Sequence, residues 1–501
     1  MPTRYAFRRR RSTDHPENCL TGRYPTVFVA LAGSLWYSVV VVSPSLHPTS
    51  PPRFPVLNFH RAKLDRHLFT LAIGLIISLS LCSPARAENW PAWRGSEGTG
   101  VSSEKGLPVA WSEGLGVAWK CRLPEWGTST PIIWGDAIFL TSHVDDKRLL
   151  LLKVDKPTGK IVWTRQVGTA AAPRMPLGRK SEEQRRHQMF HKTQTMASPS
   201  PVTDGRLVIV HFGNGDLAAY DFQGERLWHR NLQEDFGPYT IWWGHANSPI
   251  LCGDLVISVC MQDSCADLPG EPSPSYVIAH DKLTGRQVWK TMRMTGAKAE
   301  HCDSYVTPLL WTNGDRLEML VMGGEMLDAY DPASGRQLWH LPELLGNRVI
   351  TGPTTAHGMI YTTRGMRGPL VAVKPGGDGK RPLTDIVWRF DQGTPDSPCP
   401  VVWGELLFTV SDRGIARCLD ALSGRLLWKE RLKGAYRASP LAAEGRVYFV
   451  NMTGLCTVVS ASTRFDRLAE NQLDDDTIAS PVPSAGRLFI RGQKSLYCLK
   501  K

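Results

Sequence analysis

The 501 residues are 42% hydrophobic and 21% charged, and they include 45 Gly, 36 Pro and 17 Trp. This composition excludes a collagen-like or disordered chain, and the length excludes a disulfide-stapled mini-protein. The formal net charge is +12, but residues 1–87 hold 11 Lys/Arg against 3 Asp/Glu, whereas residues 88–501 hold 48 against 44. Most of the excess positive charge therefore precedes the predicted mature chain, and no nucleic-acid partner is expected.

The first 87 residues have the pattern of a secretory presequence. An apolar run at 68–82 follows three basic residues, and the triplet Ala85-Arg86-Ala87 comes after it. These features match the n-region, h-region and A-x-A cleavage site of a signal peptide, and the run is short for a membrane span. We predict cleavage after Ala87, a periplasmic or secreted location, and no membrane span in the mature chain.

Residues 1–60 fit poorly in front of that signal peptide. They contain a second apolar run at 27–42 and a Pro-rich stretch at 44–55, and no second Met occurs before Met175. We interpret Met1 as a misassigned start, with the true start between residues 56 and 64. The alternative is a membrane anchor made of two helices.

A repeat dominates the chain after Ala87. Each copy has an apolar strand, an Asp, two or three residues, a Gly, three residues and a Trp, as in 219–228 and 329–339. Asp accepts hydrogen bonds from turn N–H groups and Gly takes a positive φ, so each copy predicts a β-hairpin whose Trp docks on the neighbouring copy. The docking residues so predicted, with one from an upstream strand, are Trp119, Trp163, Trp228, Trp289, Trp339, Trp388 and Trp428.

A second pattern precedes each hairpin, namely a Ser/Thr-Pro pair, a Gly turn and a β-rich run. Proline is tolerated as the first residue of a strand, so each unit predicts four strands, A to D, with Pro opening strand A. The predicted openings are Pro131, Pro199, Pro249, Pro308, Pro353, Pro398, Pro440 and Pro481.

These units predict an all-β fold, an eight-bladed β-propeller of four-stranded antiparallel blades over residues 117–501. The last unit lacks a strand D, and the orphan strand 117–121 with Trp119 is predicted to complete it and close the ring. A seven-bladed ring and a pair of sandwiches are the alternatives. Residues 88–116 are predicted to form a strap across the outside through Trp90, Trp93 and Trp111.

The repeat resembles the pyrroloquinoline quinone (PQQ) repeat of quinoprotein alcohol dehydrogenases and of BamB-type outer-membrane assembly factors. The segment 89–95, NWPAWRG, is similar to the start of many secreted bacterial PQQ-repeat proteins. The resemblance implies the propeller fold, and it raises PQQ with calcium as a cofactor. The quinoproteins carry a vicinal disulfide beside the cofactor, and this sequence has no Cys-Cys pair. Cys260 and Cys265 could pair, whereas buried filler is the role expected for most other cysteines.

Candidate binding residues fall in the loops that the predicted ring places on one face. A basic insertion spans 165–197 and an acidic one spans 262–274, and long loops on a rigid scaffold often bind ligands. The loops that join strand D of one unit to strand A of the next carry His187, His191, His245, His301, Asp303 and Tyr305. Such a group could polarise a ligand or hold a metal. The alternatives are histidines bonded to loop carbonyls and insertions that only decorate the surface.

These observations favour an exported, non-catalytic binding or scaffolding module of the periplasm or cell envelope. Its expected partner is an envelope protein or a small ligand, and the chain is expected to be a monomer. The alternative is a quinoprotein-type oxidoreductase that binds PQQ or a metal in the funnel of the propeller.

Overall fold

The computed structural model describes residues 88–501, apart from positions 113, 146, 171–181, 189, 192 and 367. The predicted signal peptide and the proposed start near residues 56–64 lie outside the described residues. Helices in the described part are short: α1 (Glu182–Arg185), α2 (Leu232–Phe236) and the 3-10 helices η1 (Ala299–Cys302) and η2 (Leu383–Asp385). None of them is long and apolar enough to cross a membrane.

The described residues otherwise form strands joined by turns. The first seventeen are β1 (Val101–Ser102), β2 (Val117–Arg122), β3 (Ile132–Trp134), β4 (Ala137–Val144), β5 (Arg148–Asp155), β6 (Ile161–Thr169), β7 (Val202–Thr203), β8 (Leu207–His211), β9 (Asp216–Asp221), β10 (Arg226–Asn231), β11 (Ile250–Cys252), β12 (Leu255–Cys260), β13 (Ser275–Asp281), β14 (Gln287–Arg293), β15 (Leu309–Asn313), β16 (Arg316–Gly323) and β17 (Met326–Tyr330). The others are β18 (Gln337–Leu341), β19 (Thr354–Ala356), β20 (Met359–Thr363), β21 (Leu370–Val373), β22 (Gly379–Lys380), β23 (Ile386–Phe390), β24 (Val401–Trp403), β25 (Leu406–Val410), β26 (Ile415–Asp420), β27 (Leu426–Arg431), β28 (Leu441–Ala443), β29 (Arg446–Val450), β30 (Leu455–Ser460), β31 (Arg467–Gln472), β32 (Val482–Ser484), β33 (Arg487–Arg491) and β34 (Ser495–Leu499).

The strands form eight sheets, each with four antiparallel strands, which confirms the predicted eight-bladed propeller. Seven blades take their strands A to D in chain order: blade 1 is β3–β6, blade 2 is β7–β10, blade 3 is β11–β14, blade 4 is β15–β18, blade 5 is β19, β20, β21 and β23, blade 6 is β24–β27, and blade 7 is β28–β31. Strands B and C of these blades are almost wholly buried, because both faces pack against neighbouring blades.

Blade 8 combines the two ends of the described chain. It has the order β2-β34-β33-β32, and β2 pairs antiparallel with β34 from Val117 opposite Leu499 to Arg122 opposite Ser495. The C-terminal strand β34 is therefore an inner member of its sheet, bonded to β33 on one side and to β2 on the other.

An indole N–H connects most blades to the next one. Trp228 on β10 donates to the Lys282 carbonyl at 2.9 Å, and a Cβ at Gly285 would lie 2.6 Å from its ring. Five other tryptophans donate to a carbonyl of the following blade, namely Trp119, Trp163, Trp289, Trp388 and Trp428. Trp119 belongs to blade 8 and bonds Lys156 of blade 1, so this set of contacts also crosses the closure.

Trp339 departs from this pattern. Its indole N–H donates to the carboxylate of Glu318 at 2.8 Å, inside its own blade. The turn between strands C and D of blade 5 is longer than in the other copies, and its short strand β22 pairs in parallel with β18 beside Trp339. The irregular copy at 372–388 thus explains the exception.

The prediction that residues 88–116 strap the outside of the ring is wrong for the first part of the segment. Trp90 forms a bridge with Ile133 on strand A of blade 1, and β1 pairs in parallel with β28, which is strand A of blade 7. Trp90 is only 1% exposed. The inner strands offer it apolar surface, whereas the outer strands face solvent. Only Trp111 reaches an outer strand, where its N–H donates to Asn471 on β31.

We expect the contact between Trp228 and Gly285 to be worth more than the turn geometry alone. Gly285 and Gly253 are in the same blade, with φ of +69° and +58°, but nothing lies within 4 Å of a Cβ built at Gly253. Gly253→Ala should lower the free energy of unfolding by about 1–2 kcal/mol through backbone strain. Gly285→Ala should cost about 1–3 kcal/mol more, because the methyl group meets the ring. Equal losses in chemical denaturation would contradict a packing role for Trp228.

Candidate functional site

A belt of hydrogen bonds surrounds the channel where the inner strands begin. In seven blades, the residue before the strand-opening proline donates its backbone N–H to the side chain of the equivalent residue in the next blade. The links are Thr130 to Ser200 (2.9 Å), Ser200 to Ser248 (2.9 Å), Ser248 to Thr307 (3.2 Å), Gly352 to Cys399 (3.0 Å), Cys399 to Ser439 (3.0 Å), Ser439 to Ser480 (3.0 Å) and Ser480 to Thr130 (3.2 Å). The last link joins blade 8 to blade 1.

The belt corrects two of the predicted strand openings. Blades 2 and 6 each contain two prolines in this region, and their inner strands follow Pro201 and Pro400 rather than Pro199 and Pro398. The residue between the two prolines, Ser200 or Cys399, supplies the acceptor of the belt. In blade 2 the Ser/Thr-Pro pattern could not distinguish the prolines, because both follow a Ser, and in blade 6 it favoured Pro398, because Pro400 follows Cys399.

The belt is interrupted at Gly352 of blade 5, which has no side-chain acceptor to offer Thr307. A Cβ at position 352 would lie 3.7 Å from the ring of Trp93. Trp93 lines two separate cavities, one of about 360 Å³ on the belt and one of about 140 Å³ beside the inner strands. The N-terminal segment therefore contributes the aromatic floor of the larger cavity, which we call the funnel.

Hydroxyl groups dominate the wall of the funnel. The volume of about 360 Å³ is near the lower end of the range for small-molecule sites. Its Ser and Thr residues come from all blades except blade 5, and they are Thr128, Thr130, Thr193, Ser198, Ser200, Ser248, Thr307, Ser397, Ser439 and Ser480. Trp93, His191, Trp243 and Tyr305 add aromatic rings, and Gln194 with the charged residues Arg348, Asp396 and Arg437 completes the polar lining.

Arg348 is held at one side of the funnel by two carboxylates. Its terminal nitrogens form a bidentate pair with Asp396 at 2.8 and 3.1 Å, and its Nε lies 3.1 Å from Glu300. Burial lowers the pKa of Arg348, but the Asp396 carboxylate outweighs it, so the pKa lies above its usual value. Arg348 therefore presents a permanent positive charge with its donors already engaged.

Arg437 belongs to the same network but is held differently. One of its terminal nitrogens donates to Asp412, which also accepts the backbone N–H groups of Asp396 and Ser397 and the Ser397 hydroxyl. Asp412 therefore keeps three hydrogen-bond donors even without Arg437. The Arg437 side chain is 37% exposed. It is the charged group of the funnel that is best placed to meet a ligand.

Trp243, Tyr305 and Asp303 form the wall next to Arg348. The Tyr305 hydroxyl donates to Asp303 at 3.2 Å and accepts the Trp243 backbone N–H at 3.1 Å, while the Trp243 indole donates to Glu300 at 2.7 Å. Burial, reinforced by Asp303, raises the pKa of Tyr305 well above its usual range. Tyr305 thus remains a protonated hydrogen-bond donor at neutral pH.

The structure places the six predicted site residues in different environments. His191 and Tyr305 line the funnel, and the Nδ1 of His191 lies 2.8 Å from the Thr193 hydroxyl. Asp303 is buried directly behind Tyr305. His187 is exposed in the basic insertion, and His301 pairs with Glu325 at 2.9 Å on the surface. The expectation that these histidines converge therefore does not hold.

His245 lies in a buried cluster between blades 2 and 3. Its Nε2 is 3.3 Å from the Nδ1 of His211, and its ring packs on Tyr239. Burial lowers the pKa of His245 to about 3, so the imidazole is neutral. Its neighbour Ala246 lines the funnel in its place, because the loop turns the His245 ring away from the cavity.

The basic and acidic insertions contact each other, which their opposite charges favour. Arg185 on α1 lies 2.9 Å from both Asp263 and Asp267. Asp263 also accepts the indole N–H of Trp242 at 3.2 Å, next to the funnel residue Trp243. The two insertions therefore support one wall of the funnel in the part of the chain that is described.

Cysteine and metal chemistry differ from the expectations for a quinoprotein. The nine cysteines of the described residues are all free, so Cys260 and Cys265 do not pair. Cys260 instead contacts Gln262, and Cys265 contacts the Arg185 carbonyl. Within residues 88–501, outside the positions left undescribed, no group of three His, Cys, Asp or Glu side chains is arranged to hold a metal ion.

Sequence reasoning missed four residues of the charged network: Arg348, Asp396, Asp412 and Arg437. Three of them lie three to five residues before a strand-A proline, as His245 does, whereas His301 lies seven and His191 ten residues before one. The same positional signal could have identified them. Position alone does not decide the outcome, because Asp396 and His245 each lie four residues before their strand-A proline, yet only Asp396 lines the funnel.

Fold and site together define a β-propeller with a hydroxyl-rich funnel. The family model described as outer membrane protein assembly factor BamB matches residues 95–266 and 383–467, just over half of the sequence, and the chain therefore belongs to this family. A search of curated proteins finds no match.

Solved structures with the same fold include both BamB and dehydrogenases. BamB from Moraxella catarrhalis is 12% identical with a TM-score of 0.51, and the match covers 77% of this chain and 99% of that one. Quinohemoprotein alcohol dehydrogenase from Comamonas testosteroni is 13% identical with a TM-score of 0.59, covering 84% and 82%. The corresponding enzyme ADH IIG from Pseudomonas putida HK5 is 12% identical with a TM-score of 0.57, covering 82% and 80%. At these identities the likeness shows the fold alone.

Proposed function

We propose that the protein is an exported, non-catalytic binding module whose funnel holds a small, neutral, polyhydroxylated molecule such as a monosaccharide or disaccharide. The observation that carries the proposal is the ring of hydroxyl groups around one cavity with an aromatic floor. The A-x-A pattern at 85–87 and the BamB description of the family support a location in the cell envelope.

The hydrogen-bonding capacity of the belt suits a ligand with many hydroxyls. A Ser or Thr hydroxyl has one donor and two acceptor sites, and a belt hydroxyl such as Ser200 or Ser439 uses one acceptor site for a backbone N–H. The remaining donor and acceptor can serve a ligand hydroxyl in either direction. Trp93 and Trp243 provide aromatic faces on which a sugar ring can pack.

The charges of the site disfavour a polyanion. Arg348 and Arg437 contribute two positive charges, but four carboxylates lie on or directly behind the wall: Glu300, Asp303, Asp396 and Asp412. The net charge of these six side chains is negative, so a ligand with several carboxylates would be repelled rather than attracted. A neutral ligand avoids this cost.

The acids and bases around the funnel are engaged with partners, which supports binding over catalysis. Asp396 holds Arg348, Asp412 accepts four hydrogen bonds, and Tyr305 donates to Asp303. A general base needs an available lone pair near its working pH. In this network the carboxylates serve instead to fix the arginines and the loops.

Calorimetric titration with neutral monosaccharides and disaccharides tests the proposal. We expect saturable binding of at least one of them, weakened roughly tenfold by Arg437→Met, which removes about 1.4 kcal/mol of interaction with the ligand. The melting temperature should change little, because Asp412 keeps three other donors.

Arg431→Met is the matched control, since Arg431 is exposed on the outer strand β27 and donates to the Arg413 carbonyl. It should leave affinity unchanged. Absence of binding across the panel, or equal losses in both variants, would refute the proposed ligand class.

The second candidate is a quinoprotein-type oxidoreductase, which the likeness to the alcohol dehydrogenases and the aromatic floor at Trp93 favour. The described side chains do not fit that cofactor well, because PQQ is a tricarboxylate and the carboxylates that calcium would need are engaged with Arg348, Arg437 and backbone N–H groups. An absorbance spectrum of the protein with added PQQ and calcium decides between the two. A bound-quinone spectrum together with dye reduction by an alcohol would replace the non-catalytic proposal.

A further inference from the structure

The first residue after the predicted cleavage site is held through its nitrogen, its carbonyl and its side chain. The backbone nitrogen of Glu88 donates to Oε1 of Glu104 at 2.6 Å, and the Glu88 carbonyl accepts the Ser484 hydroxyl at 3.0 Å. The Glu88 carboxylate accepts the Ser102 hydroxyl at 2.5 Å and the Ser103 backbone N–H at 3.0 Å. The first residues of a domain are poorly ordered unless they are tied down, so Glu88 is a fixed starting point of the folded chain.

Glu104 joins that nitrogen to the blade that closes the ring. The Glu104 side chain is buried, and its Oε1 also accepts the backbone N–H of Ala485 at 2.8 Å, while its Oε2 accepts that of Gly486 at 3.0 Å. Both donors lie in the turn between strands β32 and β33 of blade 8, directly after Ser484. The contacts of Glu88 and Glu104 therefore meet at one turn of the propeller.

The Glu104 carboxylate has hydrogen-bond donors but no cation in contact with it. Among the residues that the structure describes, no ion pair joins Glu104 to a Lys, Arg or His side chain. Lys156 acts on it only from a longer distance, because the Lys156 Nζ lies 3.8 Å from Asp136 and 3.3 Å from the Ser484 hydroxyl. A buried charge is costly unless an opposite charge and hydrogen bonds compensate it. A positive charge on the Glu88 nitrogen would supply that compensation.

We propose that Glu104 is the binding site for the α-ammonium group that cleavage after Ala87 creates at Glu88, a proposal that rests on the predicted cleavage. In the precursor this nitrogen is an amide with one N–H and no charge. Hydrolysis of the peptide bond uses one water, leaves a carboxylate on Ala87 and leaves a protonated amine with three N–H groups on Glu88. Opposite charges within hydrogen-bond distance stabilise each other, so the mature chain is held more firmly at Glu104 than the precursor.

The ion pair would close a loop of the chain that enters the channel. The segment from Glu88 to Glu104 contains Trp90, which bridges to Ile133, and Trp93, which lines the funnel. The bond between the Glu88 nitrogen and Glu104 joins the two ends of this segment. Removal of the presequence would therefore fix the position of the segment as well as its first residue.

Hydrogen exchange of the segment 88–104 tests the site on a chain released at Glu88 from a cleavable fusion, which contains all eight blades. The comparison is the same chain with one Gly in front of Glu88, which keeps the N–H directed at Glu104 but carries the ammonium group one residue away. We expect the protected amides of the segment to exchange about tenfold faster in the Gly-extended chain at pH 6.5. The difference between the two chains should disappear in Glu104→Gln, because the charge partner is gone.

Glu444→Gln is the matched control. Glu444 lies in the turn between β28 and β29 of blade 7 and accepts the backbone N–H groups of Gly106 and Leu107 at 2.6 and 3.0 Å, so it binds the same stretch of chain away from Glu88. The difference between the two chains should persist in this variant. Equal exchange in the two chains, or a difference that survives Glu104→Gln, would overturn the proposal.

Titration of the α-amino group distinguishes an ion pair from an ordinary hydrogen bond. An α-amino group titrates near pH 8 in an unfolded chain, and a neighbouring carboxylate favours its protonated form. Competitive acetylation of the folded protein between pH 6 and 10 should place the midpoint of the Glu88 amine about one pH unit higher than in Glu104→Gln. The other charged groups around it, namely the Glu88 carboxylate, Lys156 and Asp136, are the same in both chains. Coincident midpoints would show that Glu104 does not bind the charged amine.

N-terminal sequencing of the protein that cells export from the full-length precursor tests the cleavage separately. We expect Glu88 as the first residue. A different first residue would overturn the proposal through the cleavage, whereas equal exchange with Glu88 in first position would overturn it through Glu104.

Discussion

Deletion of residues 495–501 should abolish the stable propeller. The deletion removes β34, which pairs with β33 and with β2, and it leaves two unpaired edges inside blade 8. Leu496, Tyr497 and Leu499 are at most 2% exposed, and each buried side chain of this kind contributes about 1.5–3 kcal/mol. The loss approaches the whole stability of a typical domain, about 5–15 kcal/mol. We expect aggregation on expression, or a cooperative transition shifted down by more than about 10 °C.

Deletion of Lys500 and Lys501 alone is the control, because both side chains are exposed and β34 is retained. This variant should melt within about 2 °C of the parent protein. If the longer deletion also melted within that interval, closure of the ring through blade 8 could not be a source of its stability.

Unfolding at mildly acidic pH is the second large effect that we expect. Three histidines are buried between blades 2 and 3: His211, His245 and His280. Burial lowers the pKa of His245 to about 3, burial and the nearby Arg230 lower that of His280 to about 4, and burial with the neighbouring His245 lowers that of His211 well below its usual value. His245 and His280 are therefore neutral in the folded protein at pH 5, and His211 is shifted in the same direction.

The unfolded chain binds protons at these histidines near pH 6.5, whereas the folded chain does not. Stability is therefore complete above about pH 6.5 and falls as the pH decreases toward about 4. Each histidine contributes a slope of up to about 1.4 kcal/mol per pH unit in this window, so the three together contribute about 4 kcal/mol per unit. Two pH units would remove most of the stability of a typical domain.

Urea denaturation between pH 7 and 4.5 measures this slope. His280→Leu should reduce it by about a third, and the variant should fold well because both ring nitrogens of His280 are buried without hydrogen-bond partners. His301→Gln is the control, since His301 is half-exposed and pairs with Glu325 at the surface. A stability that is flat over this range would show that the three histidines titrate normally.

Most of the fold was predictable because each blade repeats a local code. Each copy places the Asp and Gly of the C–D turn and the following Trp within about ten residues of sequence. The number of copies therefore predicts the number of blades without any long-range information. The degenerate copy at 372–388 was recognised as irregular. Its consequence, the bond between Trp339 and Glu318, depends on β22 and was not predictable.

The site was predictable only in part. The Ser/Thr-Pro pairs were recognised as strand openings, but the belt that their hydroxyls form between blades requires the neighbouring blade to be present. The histidines lie in loops of the same kind, yet His191 faces the funnel while His245 turns into a buried cluster. The backbone dihedral angles of each loop decide which way a side chain points, and these angles cannot be inferred from a single sequence.

The sequence by itself determined the eight repeats, their four-strand content and the tryptophans at their outer hairpins, because these features depend on turn chemistry and on apolar periodicity within one unit. Tertiary structure alone decided that Trp90 and Trp93 enter the channel rather than cover the outside, because only the assembled ring offers a buried apolar wall there. It also decided that Arg348, Asp396, Asp412 and Arg437 share one network, although they come from loops of different blades. Contacts of this kind join residues far apart in the chain, so their energies exist only once the ring has formed.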